Sequence, residues 1–248
     1  MKSVIWGAIF LFLSYHSESQ INKTNKDGVL LPHVDYCFHW KTLDYANRFG
    51  PSNAVGLGLD YMTDKNWIFG LDWSLHFGNK VNEDVLSGIR DKNGEVLGND
   101  IYFGNVVFKE RGMTASLYIG KLIPILKSNN RSGIKLSIGG GFIQHNIKIQ
   151  DDIETLTQVK GDYKGGYDRL TRGFLLNEFV GYQHLGKNRL INFQLGMEFC
   201  QGITKNIRAI NYNTKTSETK LRNDFYYGLK ASWYLPFYIG EKGEELYY

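Results

Sequence analysis

The sequence is poor in the residues that would build several common classes of protein. Two cysteines and four prolines in 248 residues are too few for a disulfide-stapled small domain, for collagen or for a proline-rich disordered segment. Charge of one sign is also lacking: with 29 basic and 25 acidic residues, the dispersed net charge of +4 argues against a nucleic-acid-binding protein. No apolar run reaches the ~20 residues of a spanning helix. Glycine (28 residues) and aromatic residues (15%) are abundant instead, which favours an all-β fold.

The first twenty residues have the order of a secretory signal. Lys2 precedes an apolar run over residues 4–13, and the polar residues 17–20 follow it; this matches a charged start, a short apolar core and a small-x-small cleavage site. We predict cleavage after Ser19 and export of the mature chain. The alternative is a buried N-terminal strand. This segment contains no cysteine, so no lipid-anchored cysteine is expected there.

Apolar and polar residues alternate with a period of two in eight segments. In the clearest segment, Trp67–Gly78, every odd-numbered residue is a large apolar one, whereas glycine and polar residues fill most even positions. Successive side chains of a strand point to opposite faces, so each segment predicts a strand with one apolar and one polar face. The predicted strands cover residues 34–41, 54–61, 67–78, 113–120, 134–142, 174–185, 191–200 and 224–237.

Two details of these strands are open or unusual. In the segment 174–185, Glu178 shares a face with Leu176, Val180 and Tyr182, so the facing of this strand is ambiguous. The three consecutive glycines at 139–141 predict a bend or a bulge in the fifth strand.

The connections between the predicted strands alternate between short and long. Those near 63–66, 127–132 and 186–188 are short, and those near 42–53, 79–105, 150–173 and 202–222 are long. Outer-membrane barrels have this alternation, with short periplasmic turns and long extracellular loops. We therefore predict an all-β protein, an eight-stranded antiparallel transmembrane up-and-down β-barrel with four long extracellular loops and short periplasmic turns.

A soluble lipocalin-like barrel is the alternative, and it would place the apolar face inside. The composition of the two faces favours the membrane barrel, because glycine and charged residues suit a narrow lumen and large aromatic residues suit lipid. The predicted parts of the chain are a signal peptide at 1–19, a periplasmic segment at 20–29, the outer-membrane barrel at 30–238 and a periplasmic tail at 239–248.

Three strings of the sequence resemble a known group of barrels. They are Gly-Tyr-Asp-Arg-Leu-Thr at 166–171, Leu-Gly-Lys-Asn-Arg-Leu-Ile-Asn-Phe at 185–193 and Leu-Pro-Phe-Tyr-Ile-Gly at 235–240. They resemble small outer-membrane barrels of Bacteroidota, the group whose Por-type proteins serve the type IX secretion system and gliding motility. The resemblance implies a non-enzymatic membrane component that helps assemble or hold other export proteins. It assigns a chemical role to no individual residue.

A set of polar residues falls on the predicted lumen faces. It could be a proton relay, a metal site or a hydrolase, or a network that fills the barrel with paired charges; we favour the last interpretation. No His-x-His or Cys-x-x-Cys spacing occurs, so no metal or other cofactor is predicted. The set consists of His39, Asp60, Asp72, His76, Glu198 and Lys230.

A lipid-directed hydrolase is the enzyme hypothesis that the sequence allows. His145 and His184 could face lipid, but neither lies near a serine on the apolar face of any predicted strand, and a nucleophile needs its base within hydrogen-bond reach. Cys37 and Cys200 fall on lumen faces of strands two apart, ~10 Å at ~4.8 Å per step. That is too far for a disulfide, so two free thiols are predicted.

A long loop and the tail are candidate partner-binding segments. The loop has mixed charges and exposed aromatic residues, and the tail is acidic with an aromatic end, a composition that suits a basic partner surface with an apolar pocket. A solvated loop and a disordered end are the alternatives. The candidate residues are Tyr163, Tyr167, Asp168, Arg169, Glu244, Glu245, Leu246, Tyr247 and Tyr248.

The sequence thus predicts a non-enzymatic outer-membrane scaffold that contacts lipid and binds other outer-membrane or periplasmic proteins, and no nucleic acid. The alternative function is a lipid-directed outer-membrane enzyme or a carrier of small apolar ligands. A channel is less favoured than either, because side chains fill an eight-stranded barrel.

Overall fold

The computed structural model describes residues 28–98, 103–104, 106–125, 129–151, 156, 159–186 and 191–239. Its one α-helix in these residues, α1 (Leu43–Arg48), follows the first strand, and short 3-10 helices lie at Ser87–Ile89 and Gly161–Gly166. No helix in the described part of the chain is both long and apolar enough to cross a bilayer. The strands are β1 (Gly28–Thr42), β2 (Ser52–Met62), β3 (Trp67–Gly78), β4 (Val96–Leu97), β5 (Phe103–Gly104), β6 (Val106–Pro124), β7 (Gly133–Asp151), β8 (Thr171–Leu185), β9 (Asn192–Asn206), β10 (Arg222–Tyr234) and β11 (Phe237–Ile239).

Eight of these strands close into a barrel. Each of β1, β2, β3 and β6 to β10 pairs antiparallel with its neighbours in chain order, and β10 pairs with β1. The path of paired residues that starts at His33 goes once around the wall and returns to Leu43, the residue after β1 and ten residues further along. This stagger tilts the strands, and eight strands leave an interior that side chains can fill. The predicted eight-stranded antiparallel barrel is confirmed.

The apolar face of the wall points outward. Leu57 and Trp73 are 56% and 41% exposed, whereas the neighbouring Asp60 and Ser74 are buried. A soluble barrel with an apolar interior is therefore excluded, and an outward apolar band is what lipid requires. The outward aromatic residues include Trp40, Trp67, Trp73 and Trp233, as predicted.

The structure settles the facing of β8. Phe179 and Gln183 are buried in the lumen, whereas Glu178 is exposed beside Val180 on the outer surface. Glu178 therefore does share the outer face of β8 with apolar residues. The predicted bulge at 139–141 is wrong, because these glycines pair one for one with β6 and with β8.

The connections lie at opposite ends of the barrel according to their length. The turns at 63–66, 125–132 and 186–191 are at the same end as Gly28 and Ile239, and the long connections at 43–51, 79–105, 152–170 and 207–221 are at the other end. We call these four long connections the crown. The predicted signal peptide, most of segment 20–29 and residues 240–248 of the predicted tail lie outside the described residues.

Two strands are much longer than predicted. β6 and β7 each have 19 residues, and they continue beyond their pairing with β3 and β8. We call residues 106–109 and 146–151 of this hairpin the arm. Ile147 and Ile149 of the arm are buried against the crown. The fourth predicted strand began only at 113 and the fifth ended already at 142, because the alternation of apolar and polar residues changes its polarity beyond those residues.

An apolar cluster lies at each end of the lumen. At the turn end, Leu31, Met62 and Leu122 are fully buried together with other inward side chains of the strand ends. At the crown end, Tyr45 and Phe49 of the first long connection pack with Ile143 and with other crown residues. The polar interior of the barrel is therefore enclosed between two apolar layers.

Candidate functional site

The polar lumen is organised in layers, and the layer nearest the turns is centred on Asp60. Lys135 Nζ donates to Asp60 Oδ2 at 2.7 Å, and the hydroxyl of Tyr118 donates to the other oxygen of the same carboxylate. Lys135 also donates to Tyr234 Oη at 3.2 Å, which in turn donates to Gln194 Oε1 at 2.6 Å. This layer is a chain of satisfied polar groups.

The middle layer is centred on Lys230. Its Nζ lies 2.5 Å from Asp72 Oδ2 and 2.9 Å from Asp35 Oδ2, and His33 Nε2 lies 2.9 Å from Asp72 Oδ1. A buried charge of this kind needs its partner, because removal of one member leaves the other uncompensated in a medium of low polarity.

Small residues in the wall provide the space for these pairs. A Cβ atom at Gly58 would lie 2.2 Å from His33 Nε2 and 2.4 Å from Asp72 Oδ1. A Cβ atom at Gly70 would lie 2.4 Å from Asp60 Oδ1. Glycine on the inner face is thus a requirement of the charged network.

The layer nearest the crown contains the remaining histidines of the lumen. His39 Nε2 bonds to Glu198 Oε1, and the ring of His39 stacks on that of His76 at 5.1 Å between centroids. His145 Nε2 lies 2.9 Å from Asp224 Oδ2, so His145 faces the lumen and the suggestion that it faces lipid is wrong. Lys41 pairs with Glu110 in the same region.

The structure places all six predicted lumen residues inside the barrel. His39 contacts Glu198 and His76, and Lys230 contacts Asp72, but Asp60 belongs to a separate layer with Lys135. Sequence reasoning missed several partners. Asp35, Lys41, Lys135 and Asp224 lay on predicted polar faces and only their pairing was unknown, whereas Glu110 and His145 lay beyond the predicted strands.

Two groups of side chains have the composition of a metal-ligand set. In each group the ligand atoms lie within 4.8 Å of one another. One group is Cys37, His39 and Glu198, and the other is His33, Asp35 and Asp72. Cys37 and Cys200 are both free and buried. The sequence signal is Cys37-x-His39, since residues two apart share a face of a strand; the third ligand comes from a strand 159 residues away.

One serine–histidine contact involves a serine outside the predicted strands, in a turn. Ser132 Oγ lies 3.3 Å from His184 Nδ1 at the turn end of the barrel. This oxygen, however, accepts hydrogen bonds from Asn129 Nδ2 (2.9 Å) and from the backbone N–H of Leu185 (3.0 Å), and Ser132 is only 2% exposed. The serine therefore clamps the turn, and its oxygen is not presented to a substrate.

The crown is held together by buried arginines. Arg48 donates from Nε to Glu83 Oε2 at 2.8 Å and from Nη1 to Thr171 Oγ1 at 2.8 Å, and Arg169 Nε donates to Glu83 Oε1 at 2.6 Å. Glu83 thus links the first, second and third long connections. Beside these residues is an open groove of about 660 Å³ lined by polar and charged side chains of the crown.

The two carboxylates of this network are shifted toward the ionised form. Burial acts to raise the pKa of Glu83, but Arg48 and Arg169 outweigh it and hold that pKa below its ordinary value. Burial also acts to raise the pKa of Glu218, and the hydrogen bond from Asn206 together with Arg48 and Arg222 lowers it. The crown contacts are therefore strongest when both carboxylates are charged.

The predicted partner-binding residues of the loop have different environments. Tyr163 is 61% exposed, whereas Tyr167, Asp168 and Arg169 are buried. Tyr167 packs edge to face on Tyr212, and Asp168 receives a bidentate pair of bonds from Arg208. Only Tyr163 of these four offers most of its side chain to a partner. The tail residues Glu244, Glu245, Leu246, Tyr247 and Tyr248 lie outside the described residues.

No family model matches the chain, and no curated protein matches it in sequence. Among solved structures, Ail of Yersinia pestis is 9% identical with a TM-score of 0.42, and the match covers 84% of this chain and 99% of Ail. The N-terminal β-barrel domain of Pseudomonas aeruginosa OprF is 10% identical with a TM-score of 0.35 (82% and 96% covered), and the outer membrane protein OprG of the same organism is 13% identical with a TM-score of 0.35 (84% and 95% covered).

The chain has the fold of a transmembrane β-barrel of the outer-membrane type. The closed ring of eight strands and the outward apolar band carry this conclusion, because a barrel with no open edge and an apolar exterior satisfies both requirements of a lipid environment. The lumen is filled by paired side chains, so the surfaces that remain for contact with other molecules are the crown, the turn end and the lipid-facing wall.

Proposed function

We propose that this barrel is a non-enzymatic scaffold that binds a protein partner through its crown. The observation that carries the proposal is a group of exposed apolar side chains on the crown, outside the lipid-facing band. Tyr163, Ile207, Ile210 and Tyr212 are 61%, 46%, 51% and 44% exposed. We call these four residues the crown patch. Exposed aromatic and aliphatic side chains are the usual anchors of a protein interface.

The two loops that carry the crown patch are fixed to each other, which favours binding. Arg208 bonds to Asp168 through both nitrogens Nε and Nη2, and the backbone N–H of Tyr212 donates to Gly166 O at 2.9 Å. The backbone N–H of Ile207 donates to Leu170 O at 2.9 Å. A preorganised surface loses little conformational entropy when a partner binds.

The alternative functions have weaker support. A carrier of apolar ligands needs an apolar cavity, and the interior here contains paired charges such as Lys135 with Asp60 and Lys230 with Asp72. A lipid-directed enzyme would depend on the Ser132–His184 pair, in which the serine is buried.

The proposal also names the kind of protein complex to which the partner belongs. The strings at 166–171, 185–193 and 235–240 resemble Por-type barrels of Bacteroidota, and on that resemblance we propose a protein-secretion complex of the type IX kind. The first of these strings contains Asp168 and Arg169, which fix the crown, so part of the resemblance falls on the proposed binding end. The tail, predicted to be periplasmic at 239–248, is a second candidate contact.

The experiment combines cross-linking with affinity. A photo-reactive amino acid at Tyr163, in cells that carry the full-length chain, should cross-link one defined protein, and the same probe at lipid-facing Trp73 should not. With that protein identified, the double variant Tyr163→Ala/Ile210→Ser should bind it about tenfold more weakly or worse, a loss of ~1.4 kcal/mol that two anchor side chains of an interface can supply together. The matched control is Lys92→Ala/Glu95→Ala, which changes two exposed residues elsewhere on the crown.

Three outcomes would contradict parts of the proposal. Equal binding by the double variant and the control would exclude the crown patch. Loss of binding on truncation after Gly240, with an unchanged level of protein in the membrane, would move the site to the tail. Phospholipid hydrolysis that Ser132→Ala abolishes would replace the scaffold with the lipid-directed enzyme.

A further inference from the structure

One group of lumen side chains has a composition that filling the barrel does not require. Cys37 and His39 of β1 and Glu198 of β9 bring sulfur, nitrogen and oxygen ligand atoms within 4.8 Å of one another. Cys37 and His39 are 2% and 1% exposed. The three residues reach across β10, which lies between β1 and β9 in the wall.

The donor set fits a borderline-soft divalent cation. Thiolate, imidazole and carboxylate are the ligands of zinc, which binds them at 2.0–2.3 Å in a tetrahedral arrangement. Ligand atoms around such an ion are about 3.5 Å apart. Ion binding therefore replaces the hydrogen bond between His39 Nε2 and Glu198 Oε1 and moves the three ligand atoms to that separation. Three protein ligands leave one position of the tetrahedron for water.

The charge of the set also fits a divalent ion. In the middle of the lumen, Asp35, Asp72 and Glu198 face one lysine among the described residues, Lys230. A divalent ion bound by one thiolate, one carboxylate and a neutral imidazole forms a group with no net charge. A neutral group is the form that an interior of low polarity favours.

Space and an unsatisfied atom are present at the same place. The side chain of Glu198 is 15% exposed and that of Asp72 is 13% exposed, although the surrounding residues are buried. His39 Nδ1 has no hydrogen-bond partner within the described part of the chain. The protein alone therefore leaves Glu198 partly accessible and one ring nitrogen of His39 without a partner among the described residues.

The second group of donors in the lumen is a useful contrast. His33, Asp35 and Asp72 are equally close to one another, but Lys230 Nζ lies 2.5 Å from Asp72 Oδ2 and 2.9 Å from Asp35 Oδ2. An ammonium group thus already occupies the place of a cation. No lysine or arginine bonds to Cys37 or His39 among the hydrogen bonds and ion pairs of the described residues.

We propose that Cys37, His39 and Glu198 form a zinc site, with water as the fourth ligand, that joins β1 to β9 inside the barrel. Binding releases the thiol proton of Cys37 to solvent, and the thiolate, the imidazole nitrogen and a carboxylate oxygen bind the ion. The site acts in the folding and stability of the barrel and is independent of the crown patch.

The test uses the full-length barrel in detergent, with Zn²⁺ and Co²⁺ as the probes. After exposure to Zn²⁺ during folding and removal of free metal, the barrel should retain one equivalent of zinc. With Co²⁺, the spectrum should contain a sulfur-to-cobalt charge-transfer band. Cys200→Ser is the matched control, because the chain has two cysteines and Cys37 is then the only thiol; this variant should keep the band.

Cys37→Ser and Glu198→Gln should reduce zinc retention at least tenfold while the folded barrel remains heat-modifiable on gels. If Cys37→Ser does not fold, the band in wild type and in Cys200→Ser still assigns the thiolate. Absence of retained zinc and of the charge-transfer band in the wild-type barrel would overturn the proposal. A band that Cys200→Ser removes would also overturn it, since the sulfur ligand would then be Cys200.

Discussion

The membrane-spanning wall and the arm are made from the same antiparallel sheet, but their faces have opposite chemistry. In the wall, Leu57 and Trp73 point outward and Asp60 and Lys135 point inward. In the arm, Lys148 points outward, whereas Ile147 and Ile149 are buried. One continuous strand, β7, contains both patterns.

The comparison shows that the surroundings decide which face is apolar. Where lipid lies outside, the lumen accepts the polar residues and must pair them. Where water lies outside, the same inner side of the sheet becomes an ordinary core that packs on Leu86, Val96 and other crown residues. Period-two alternation thus identifies a strand, and its polarity identifies the solvent.

The largest expected effect tests the paired interior of the wall. Lys230→Ala leaves the carboxylates of Asp35 and Asp72 without their ammonium partner, and we expect a loss of roughly 3–5 kcal/mol in the free energy of unfolding. The measurement is reversible unfolding in urea with detergent or bilayers. Lys148→Ala, on the exposed side of the arm, is the control and should stay within about 0.5 kcal/mol of wild type. Equal effects of the two variants would contradict a charged, dry lumen.

The second prediction tests the outer surface of the two regions. Leu71 is 47% exposed on the wall and Val107 is 38% exposed on the arm. Leu71→Arg should cost about 2–4 kcal/mol because it puts a guanidinium into the lipid band. Val107→Arg should change the stability by less than about 0.5 kcal/mol, because water surrounds the arm. A comparable cost at both positions would mean that the arm also lies in lipid.

The third prediction compares one substitution on the inside and on the outside of β7. Ile147 is fully buried, and Ile147→Val should cost about 0.5–1.5 kcal/mol through the lost methylene group. Ile134 is 41% exposed on the wall, and Ile134→Val should cost only a few tenths of a kcal/mol, since lipid fills the vacated space. Amide hydrogen exchange should place the effect of Ile147→Val in the crown. Exchange that rises throughout the barrel instead would mean that the crown and the wall unfold as one unit.

The smallest expected effect is a pH dependence confined to the crown. The lowered pKa values of Glu83 and Glu218 mean that their contacts with arginine are complete above the ordinary carboxylate range. They are lost as the pH falls through the lowered pKa values. Protease cleavage within 159–170 and 207–221 should therefore rise as the pH falls below about 5, while the wall stays folded. Glu83→Gln should raise cleavage already at neutral pH. A cleavage pattern that neither low pH nor this variant changes would show that these contacts do not hold the crown loops together.

The sequence was sufficient for the wall because lipid makes its two faces differ strongly. Trp67–Gly78 has large apolar residues at every odd position, and the structure gives β3 the same bounds. The arm was missed for the complementary reason: Ile147 and Ile149 alternate with polar residues as before, but in the inverse sense and beyond three glycines. Extending the strand at 134–142 through the next period-two run would have recovered it.

The candidate sites were less predictable than the fold. Alternation placed His39 and Glu198 in the lumen, but their contact depends on the stagger of ten residues around the barrel, and no local pattern encodes it. The same holds for Lys135 and Asp60, which are 75 residues apart. The burial of Tyr167, Asp168 and Arg169 follows from the packing of one long loop on another, a contact for which single-sequence patterns carry no signal.

The length of the β6–β7 hairpin sets how far the arm projects from the membrane. A strand of 19 residues is about 60 Å long at ~3.3 Å per residue, and a tilt of about 40° leaves roughly 45 Å along the membrane normal. The apolar band accounts for about 25 Å of that height, so the arm raises its tip roughly 20 Å above the hydrocarbon. A partner that lies entirely within the bilayer could not contact the tip of the arm. A molecule that contacts this tip must itself project well beyond the lipid headgroups.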